Sequence, residues 1–303
     1  MKVKNMVMLV LTALIWGTAF TAQSVGMDYL GPFTFTSVRS LMGGIVLLPV
    51  IWVFDKVNAN AERGREEKAE KDRKRRDLIC GGALCGLALC TASNLQQIGI
   101  QYTTVGKAGF ITALYIVLVP ICGFFLGKRA GLKLWGSVVI AAAGLYLLCI
   151  TEKFTIGKGD FLVLLCAAVF TVHIMLIDHY SPLVDGVRMS CIQFFVTGVL
   201  SAIPMFLFEK PSLSQLAAAA VPLLYAGVLS SGVAYTLQIV AQKGVDPTVA
   251  SLILSMESVF SVLAGWLILG QSLSVREILG CVLMFTAILL AQLPEKPREV
   301  KKA

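Results

Sequence analysis

The stretch TVASLILSMESVFSVLAGWLIL (248–269) holds one charged side chain, Glu257, among 22 residues. A helix of about 20 apolar residues is long enough to cross the roughly 30 Å hydrocarbon core of a bilayer. A surface helix of a soluble protein would instead carry charged residues along one face. The stretch therefore predicts a membrane-spanning helix with an acid near its middle.

The composition of the whole chain also indicates a membrane protein. Its 303 residues are 57% hydrophobic and 15% charged, whereas soluble domains carry about 25% charged residues. The apolar runs are continuous, which favours helices over the alternating strands of a membrane barrel. We expect an all-α integral membrane protein with ten transmembrane helices, at about 5–25, 34–54, 78–100, 105–126, 133–151, 160–178, 189–208, 217–241, 248–269 and 275–293.

Charge asymmetry predicts the orientation. With the N-terminus in the cytoplasm, the inner side collects 20 Lys and Arg residues and the outer side 5, as the positive-inside rule requires. We expect a cell (inner or plasma) membrane location with both termini in the cytoplasm. The first helix is expected to be a membrane span that is not cleaved as a signal peptide. The charged segment 55–77 is expected to be a cytoplasmic loop. Its basic run DRKRR (72–76) is expected to be a juxtamembrane stop or a lipid contact, and no nucleic acid is expected as a partner.

The chain also contains an internal repeat. ALIWGTAF (13–20) aligns with AAVFTVHI (167–174) at an offset of 154, which places Asp55 opposite Glu209. NLQQIGIQYTTVGKA (94–108) aligns with TLQIVAQKGVDPTVA (236–250). Five helices per repeat turn the second repeat upside down, a plan that recurs in transporters with the site near the midplane. Gly82–Gly86 and Gly123–Gly127 are small-residue pairs suited to close helix packing.

Four stretches resemble the EamA type of the drug/metabolite transporter superfamily. They are LIWGTAFTAQSV (14–25), PFTFTSVRSLMGG (32–44), KAGFITALYIVLVPICGFFLGKR (107–129) and VASLILSMESVFSVLAGWLILGQSLSVREILGCVLMF (249–285). The resemblance implies two inverted five-helix EamA repeats, which we place at 5–151 and 160–293. It also implies secondary transport of small metabolites, often export. The chain departs from the family where Ser258 replaces a common Pro, and its first helix lacks the acid of small multidrug transporters.

Two charged residues are the first candidates for substrate binding or coupling. Glu257 shares a helical face with Ala250, Ser261 and Ala264, and an intramembrane acid marks a functional site by default. The alternative is a carboxylate that ties helices together. Arg39 lies about six residues into the second helix, where it could bind a substrate carboxylate or pair with Glu257. Its alternatives are a structural hydrogen bond or extension to the outer interface.

Polar and aromatic residues on other helices complete the candidate set. Each could either line a wet path or hold helices together. His173 is in addition a candidate proton carrier, with a buried histidine satisfied by one neighbour as the alternative. Tyr115 is the repeat counterpart of Glu257. The remaining candidates are Trp16, Gln23, Asn94, Gln97, Tyr235 and Gln238.

The mixed aromatic, amide and charged candidates suit a small amphipathic metabolite such as an amino acid. The resemblance implies that the chain is a secondary active transporter that exports such a metabolite, with alternating access between the repeats. Multidrug or organic-cation efflux is an alternative. An intramembrane enzyme or a channel is a second one, although GKGD (157–160) sits at a helix start without a partner Asp and no selectivity filter is visible. We expect a small-molecule substrate, protons as a candidate coupling ion, the lipid bilayer as a partner, no cofactor and no metal, and a monomer or homodimer.

Overall fold

The computed structural model describes residues 2–58, 68–103, 105–127, 131–149, 157–269 and 274–292. Every regular element in these ranges is a helix. Two π-helical segments, Met205–Glu209 and Tyr225–Tyr235, continue or join α-helices. The α-helices are α1 (Val3–Gly26), α2 (Pro32–Asn58), α3 (Lys68–Ile100), α4 (Val105–Ala113), α5 (Tyr115–Phe125), α6 (Leu132–Cys149), α7 (Lys158–Tyr180), α8 (Gly186–Pro204), α9 (Leu213–Ala218), α10 (Ala220–Leu224), α11 (Thr236–Gln242), α12 (Pro247–Leu254), α13 (Glu257–Leu269) and α14 (Val275–Gln292).

The predicted all-α membrane fold is confirmed. Eight helical segments of the described part are long and apolar enough to cross a bilayer. The other two predicted segments are α6 and α14, of 18 residues each, which pack against each other. The protein is therefore a multi-pass membrane protein with the ten segments expected from hydropathy.

The two halves are packed as an inverted repeat. Helix α2 packs against its counterpart α8, and the two run antiparallel. At one end, Asp55 of α2 accepts a hydrogen bond from Arg188 of α8. At the other end, Glu209 accepts hydrogen bonds from the Thr34 backbone and hydroxyl, at 2.7 and 2.6 Å. The offset of 154 relates Asp55 to Glu209 and Thr34 to Arg188. Each acid therefore accepts its hydrogen bond from the first turn of the counterpart helix in the other repeat.

Small residues allow helices from the two repeats to approach closely. A Cβ atom added at Gly86 of α3 would lie 2.8 Å from the Gln193 carbonyl of α8. Gly82 lies against α8 in the same way, as its pairing with Gly86 predicted. The prediction for Gly127 was wrong: it follows α5 with φ 80°, and nothing lies within 4 Å of an added Cβ. Gly127 ends the helix, since glycine adopts a positive φ at little cost.

Four predicted segments are not continuous α-helices. The seventh, 189–208, passes from α8 into the π-helix Met205–Glu209. The fourth is interrupted at Leu114, where the Val117 amide bonds the Leu114 carbonyl at 2.9 Å, three residues back. The ninth is interrupted between Leu254 and Glu257. There the Ser255 hydroxyl donates to the Leu252 carbonyl at 2.7 Å. Such a side-chain hydrogen bond competes with the backbone amides for the carbonyls that a regular helix would use. The eighth consists of α10, the π-helix Tyr225–Tyr235 and α11.

Helices occupy both ends of the charged segment 55–77, which was predicted to be a loop throughout. Helix α2 continues to Asn58 and α3 already begins at Lys68. Charged residues with good helix propensity extend both helices, and the Glu70–Lys74 ion pair, at 3.2 Å, lies one turn apart on α3. Residues 59–67 of the predicted loop lie outside the described residues.

Candidate functional site

A small cavity lies between the two repeats in the middle of the bundle. Its volume is about 30 Å³, room for about two water molecules. Eight of the predicted candidate residues line it: Trp16, Gln23, Arg39, Tyr115, His173, Tyr235, Gln238 and Glu257. The cavity is therefore polar and aromatic, although it is surrounded by apolar membrane helices.

The lining follows the internal symmetry. Ten lining residues form five pairs related by the repeat offsets of 154 or 142. The pairs are Trp16 and Phe170, Phe20 and Ile174, Gln96 and Gln238, Thr112 and Leu254, and Tyr115 and Glu257. A cavity lined by both members of such pairs lies on the pseudo-two-fold axis between the repeats.

The charged centre of the cavity is built on the two interrupted helices. Tyr115 is the first residue of α5 and Glu257 the first residue of α13. The Tyr115 hydroxyl donates a hydrogen bond to Glu257 Oε1 at 3.1 Å. Both side chains are buried. The start of a helix carries a partial positive charge from its unpaired amides, which favours a negative group such as this carboxylate.

The interruption corrects the argument by which Glu257 was expected to face the bundle interior. The sequence was interpreted as one helix in which Ala250, Glu257, Ser261 and Ala264 share a face. Since the helix is interrupted between Leu254 and Glu257, Ala250 belongs to α12 and its angular relation to Glu257 does not follow from a regular helix. The turn, and not helical periodicity, aims the carboxylate at the cavity.

Arg39 supplies the opposite charge. Its side chain is buried and lines the cavity, so it does not extend to the interface. Its guanidinium carbon lies 5.9 Å from the Phe35 ring centre, and within the described residues its Nε atom has no hydrogen-bond partner. The ion pairs found in the described part of the chain lie elsewhere and include neither Arg39 nor Glu257. A direct pair between these two, predicted as one alternative, is therefore not formed in this conformation.

Aromatic rings form one wall. The rings of Trp16 and Tyr235 lie 4.5 Å apart between centroids. The Trp16 Nε1 donates to the Ser230 carbonyl at 3.4 Å. His173 packs edge-on against Tyr235, and its Nε2 lies 3.1 Å from Gln193 Oε1. Gln193 is the repeat counterpart of Arg39, so the two repeats place a cation and a neutral amide at equivalent positions.

Two predicted candidates lie outside the lining. The Asn94 amide donates to Ser201 Oγ and to the Cys90 carbonyl, each at 2.8 Å, and so ties α3 to α8. The Gln97 amide donates to the Gln23 carbonyl at 3.3 Å and ties α3 to α1. Asn94 and Gln97 therefore hold helices together. This is the second of the two alternatives that the sequence left open for them, the first being that they line a wet path.

Sequence reasoning missed seven lining residues: Phe20, Gln96, Thr112, Phe170, Ile174, Ser230 and Leu254. Gln96 donates to Thr112 Oγ1 at 3.1 Å. The signal that could have found Gln96 was its alignment with Gln238 at the offset of 142. The same offset links Thr112 to Leu254, whereas nothing in the sequence singles out Ser230.

Comparison with known proteins agrees with this architecture. The model of the EamA-like transporter family matches residues 3–150 and again 157–293. An uncharacterised transporter of Archaeoglobus fulgidus is 31% identical over 94% of this chain and 84% of its own length. An uncharacterised transporter of Bacillus subtilis is 22% identical over 95% of this chain and 96% of its own. One crystal structure, 17% identical, superposes with a TM-score of 0.74 over 96% of this chain and 97% of that one, which shows the shared fold.

Proposed function

The chain belongs to the EamA-like transporter family, and from this premise we propose that it is a secondary transporter of small amphipathic metabolites, such as amino acids or related compounds. In this proposal the substrate binds in the cavity between the repeats, and access alternates between the two membrane sides. The lipid bilayer and a small-molecule substrate follow from the family itself.

The single observation that carries the proposal is the composition of the cavity. It combines one buried acid, Glu257, one buried base, Arg39, and the ring pair of Trp16 and Tyr235. Charged groups are expensive inside a membrane and occur where they serve binding or coupling. A solute with charges of both signs and an apolar part offers a partner to each group. Such a solute is an amphipathic metabolite rather than a purely cationic drug, because Arg39 would repel a cation.

Alternating access is supported by the small volume of the cavity. At about 30 Å³ it is too small for an amino acid, since sites for small molecules measure about 300 Å³ or more. The helices must separate to admit a substrate. The Tyr115–Glu257 hydrogen bond joins the two repeats, so we expect it to break when they move apart.

Direction and orientation are part of the same proposal. The family resemblance favours export. The excess of basic residues on the side of the N-terminus favours cytoplasmic termini in the plasma membrane. Protons are the candidate coupling ion, with Glu257 and His173 as candidate carriers, because both are titratable groups that line the cavity.

The test is counterflow in liposomes with the purified full-length protein. Vesicles loaded with single amino acids or related metabolites are given trace labelled substrate, with and without a pH gradient. We expect uptake for a subset of zwitterionic substrates and a large loss in Glu257→Gln, which keeps the shape and removes the charge. Glu277→Gln is the matched control. Glu277 lies in the first turn of α14, away from the cavity, and accepts hydrogen bonds from the backbone amide and the hydroxyl of Ser274.

Two results would contradict the proposal. Uptake of organic cations alone, with no zwitterionic substrate, would favour drug efflux. Unchanged flux in Glu257→Gln would leave the acid as a helix tie with no part in transport. If flux persists but loses its response to the pH gradient, Glu257 couples transport to protons.

A further inference from the structure

A second, larger groove lies at the end of the molecule that carries the N-terminus. Its volume is about 980 Å³, and it is lined by the end of α2, the start of α3 and the turn between α7 and α8. The Asn5 amide reaches the Lys243 carbonyl, 3.5 Å away, at the same end. The groove shares no lining residue with the central cavity.

Positive charge dominates the groove. Five basic side chains line it: Lys71, Lys74, Arg75, Arg188 and Lys243. Among the residues that the structure describes, the lining has two acids, and each has a partner. Asp55 binds Arg188, and Asp185 accepts the Arg188 amide at 2.8 Å to cap the start of α8. The formal charge of the lining within the described residues is therefore +3 (five cations less two acids), which favours an anionic occupant.

Apolar surface adjoins these charges. Phe54, Ile79 and Leu183 line the groove and are 52%, 50% and 47% exposed. Nearby on α2, the Lys56 Nζ lies 3.7 Å from the ring centre of the exposed Trp52. Tryptophan and lysine side chains of this kind concentrate where hydrocarbon meets headgroups. We therefore expect the groove to open at headgroup level, with its apolar part toward the acyl chains.

We propose that this groove binds an anionic phospholipid. Its phosphate group lies among Lys71, Arg75 and Lys243, and its acyl chains lie along Phe54 and Ile79. Basic pockets between transmembrane helices recognise headgroups in this way, because a phosphate accepts charge-assisted hydrogen bonds from several cations at once. A free anion would use the charges alone and leave the adjoining apolar surface unused. The lipid would bridge α2, α3 and the α7–α8 turn, which belong to both repeats.

Native mass spectrometry of the full-length protein in detergent tests this assignment. Phosphatidylglycerol and phosphatidylcholine with identical acyl chains are titrated separately. We expect bound phosphatidylglycerol to be retained preferentially. The double change Lys71→Gln with Arg75→Gln should weaken its binding about 30-fold, as expected for two headgroup contacts. Lys243→Gln, on a different element, should weaken it about fivefold.

The matched control removes the same charge from the other end of the molecule. Lys158→Gln with Lys210→Gln should leave phosphatidylglycerol binding unchanged. The assignment is overturned if phosphatidylcholine binds equally well, if the control pair loses as much affinity, or if the groove variants bind like the wild type. Competition by glycerol 3-phosphate distinguishes a lipid headgroup from a free phosphate compound. If glycerol 3-phosphate displaced phosphatidylglycerol at an equal concentration, the groove would be a site for free phosphate compounds and not for a lipid. All variants should unfold at the wild-type temperature without added lipid.

Discussion

Gly17 of α1 controls the position of Glu257, and Gly17→Ala should disturb both packing and transport. A Cβ atom at Gly17 would lie 2.8 Å from the Cβ of Phe260 and 2.9 Å from the Ser261 nitrogen. It would lie closer still to the Glu257 carbonyl oxygen. Carbon atoms in contact prefer a separation of about 3.5–4.0 Å. The first turn of α13 must therefore move away from α1 by about 1 Å.

The structure allows the size of the effect to be worked out. Overpacking of a tight site costs about 1–3 kcal/mol of stability. Because the methyl contacts the backbone of α13, no side-chain rotation relieves the overlap. The same displacement would lengthen the 3.1 Å hydrogen bond between Tyr115 and Glu257 beyond hydrogen-bond range. A net hydrogen bond contributes about 0.5–1.5 kcal/mol, so we expect flux to fall by up to about 10-fold.

The assay pairs Gly17→Ala with Gly136→Ala. Gly136 also lies in a transmembrane helix, α6, but nothing lies within 4 Å of an added Cβ. Both variants are purified, their unfolding is followed in mixed micelles, and counterflow is measured per folded molecule. Gly136→Ala should match or exceed wild-type stability, since alanine is the better helix former. Wild-type stability and flux in Gly17→Ala would refute the claim that the α1–α13 contact positions the carboxylate.

Three further changes test other contacts. Tyr115→Phe removes the hydroxyl donor to Glu257 and should lower counterflow at normal expression; unchanged flux would show that the bond does not matter. Asn94→Ala removes the bond to Ser201 and should lower the free energy of unfolding by about 1–3 kcal/mol, while counterflow per folded molecule stays at the wild-type level; a selective loss of flux would contradict its structural role. Glu209→Gln removes the negative charge at the start of α2 and should cost about 0.3–1 kcal/mol in thermal unfolding, whereas no change would argue against the helix-end interaction.

Hydropathy predicted the ten segments because the free energy of placing side chains in hydrocarbon depends on composition and length, both readable in the chain. The pseudo-symmetry was also readable, since the offset of 154 relates Asp55 to Glu209 before any contact is known. The acid at position 257 stood out for the same reason: it is the only charge in its segment.

Hydropathy could not separate lining residues from residues that tie helices. One step along a helix rotates a side chain by about 100°, so the neighbours Gln96 and Gln97 point in different directions, one toward the cavity and the other toward the Gln23 carbonyl. In a soluble helix the polar face would mark the outside. In a membrane helix both the lipid and the neighbouring helices are apolar, and composition carries little information about direction.

The sequence by itself determined that this protein lies in a membrane and how many membrane-spanning segments it has. It also determined the inversion of the repeats and the family to which the chain belongs. Only the tertiary structure decided where the fourth and ninth segments are interrupted, and hence that Tyr115 and Glu257 meet at the centre. The reason is physical. Segment number depends on side-chain transfer into hydrocarbon, a property of each residue. An interruption depends on competition for backbone carbonyls, and the meeting of two residues 142 positions apart depends on the packing of whole helices.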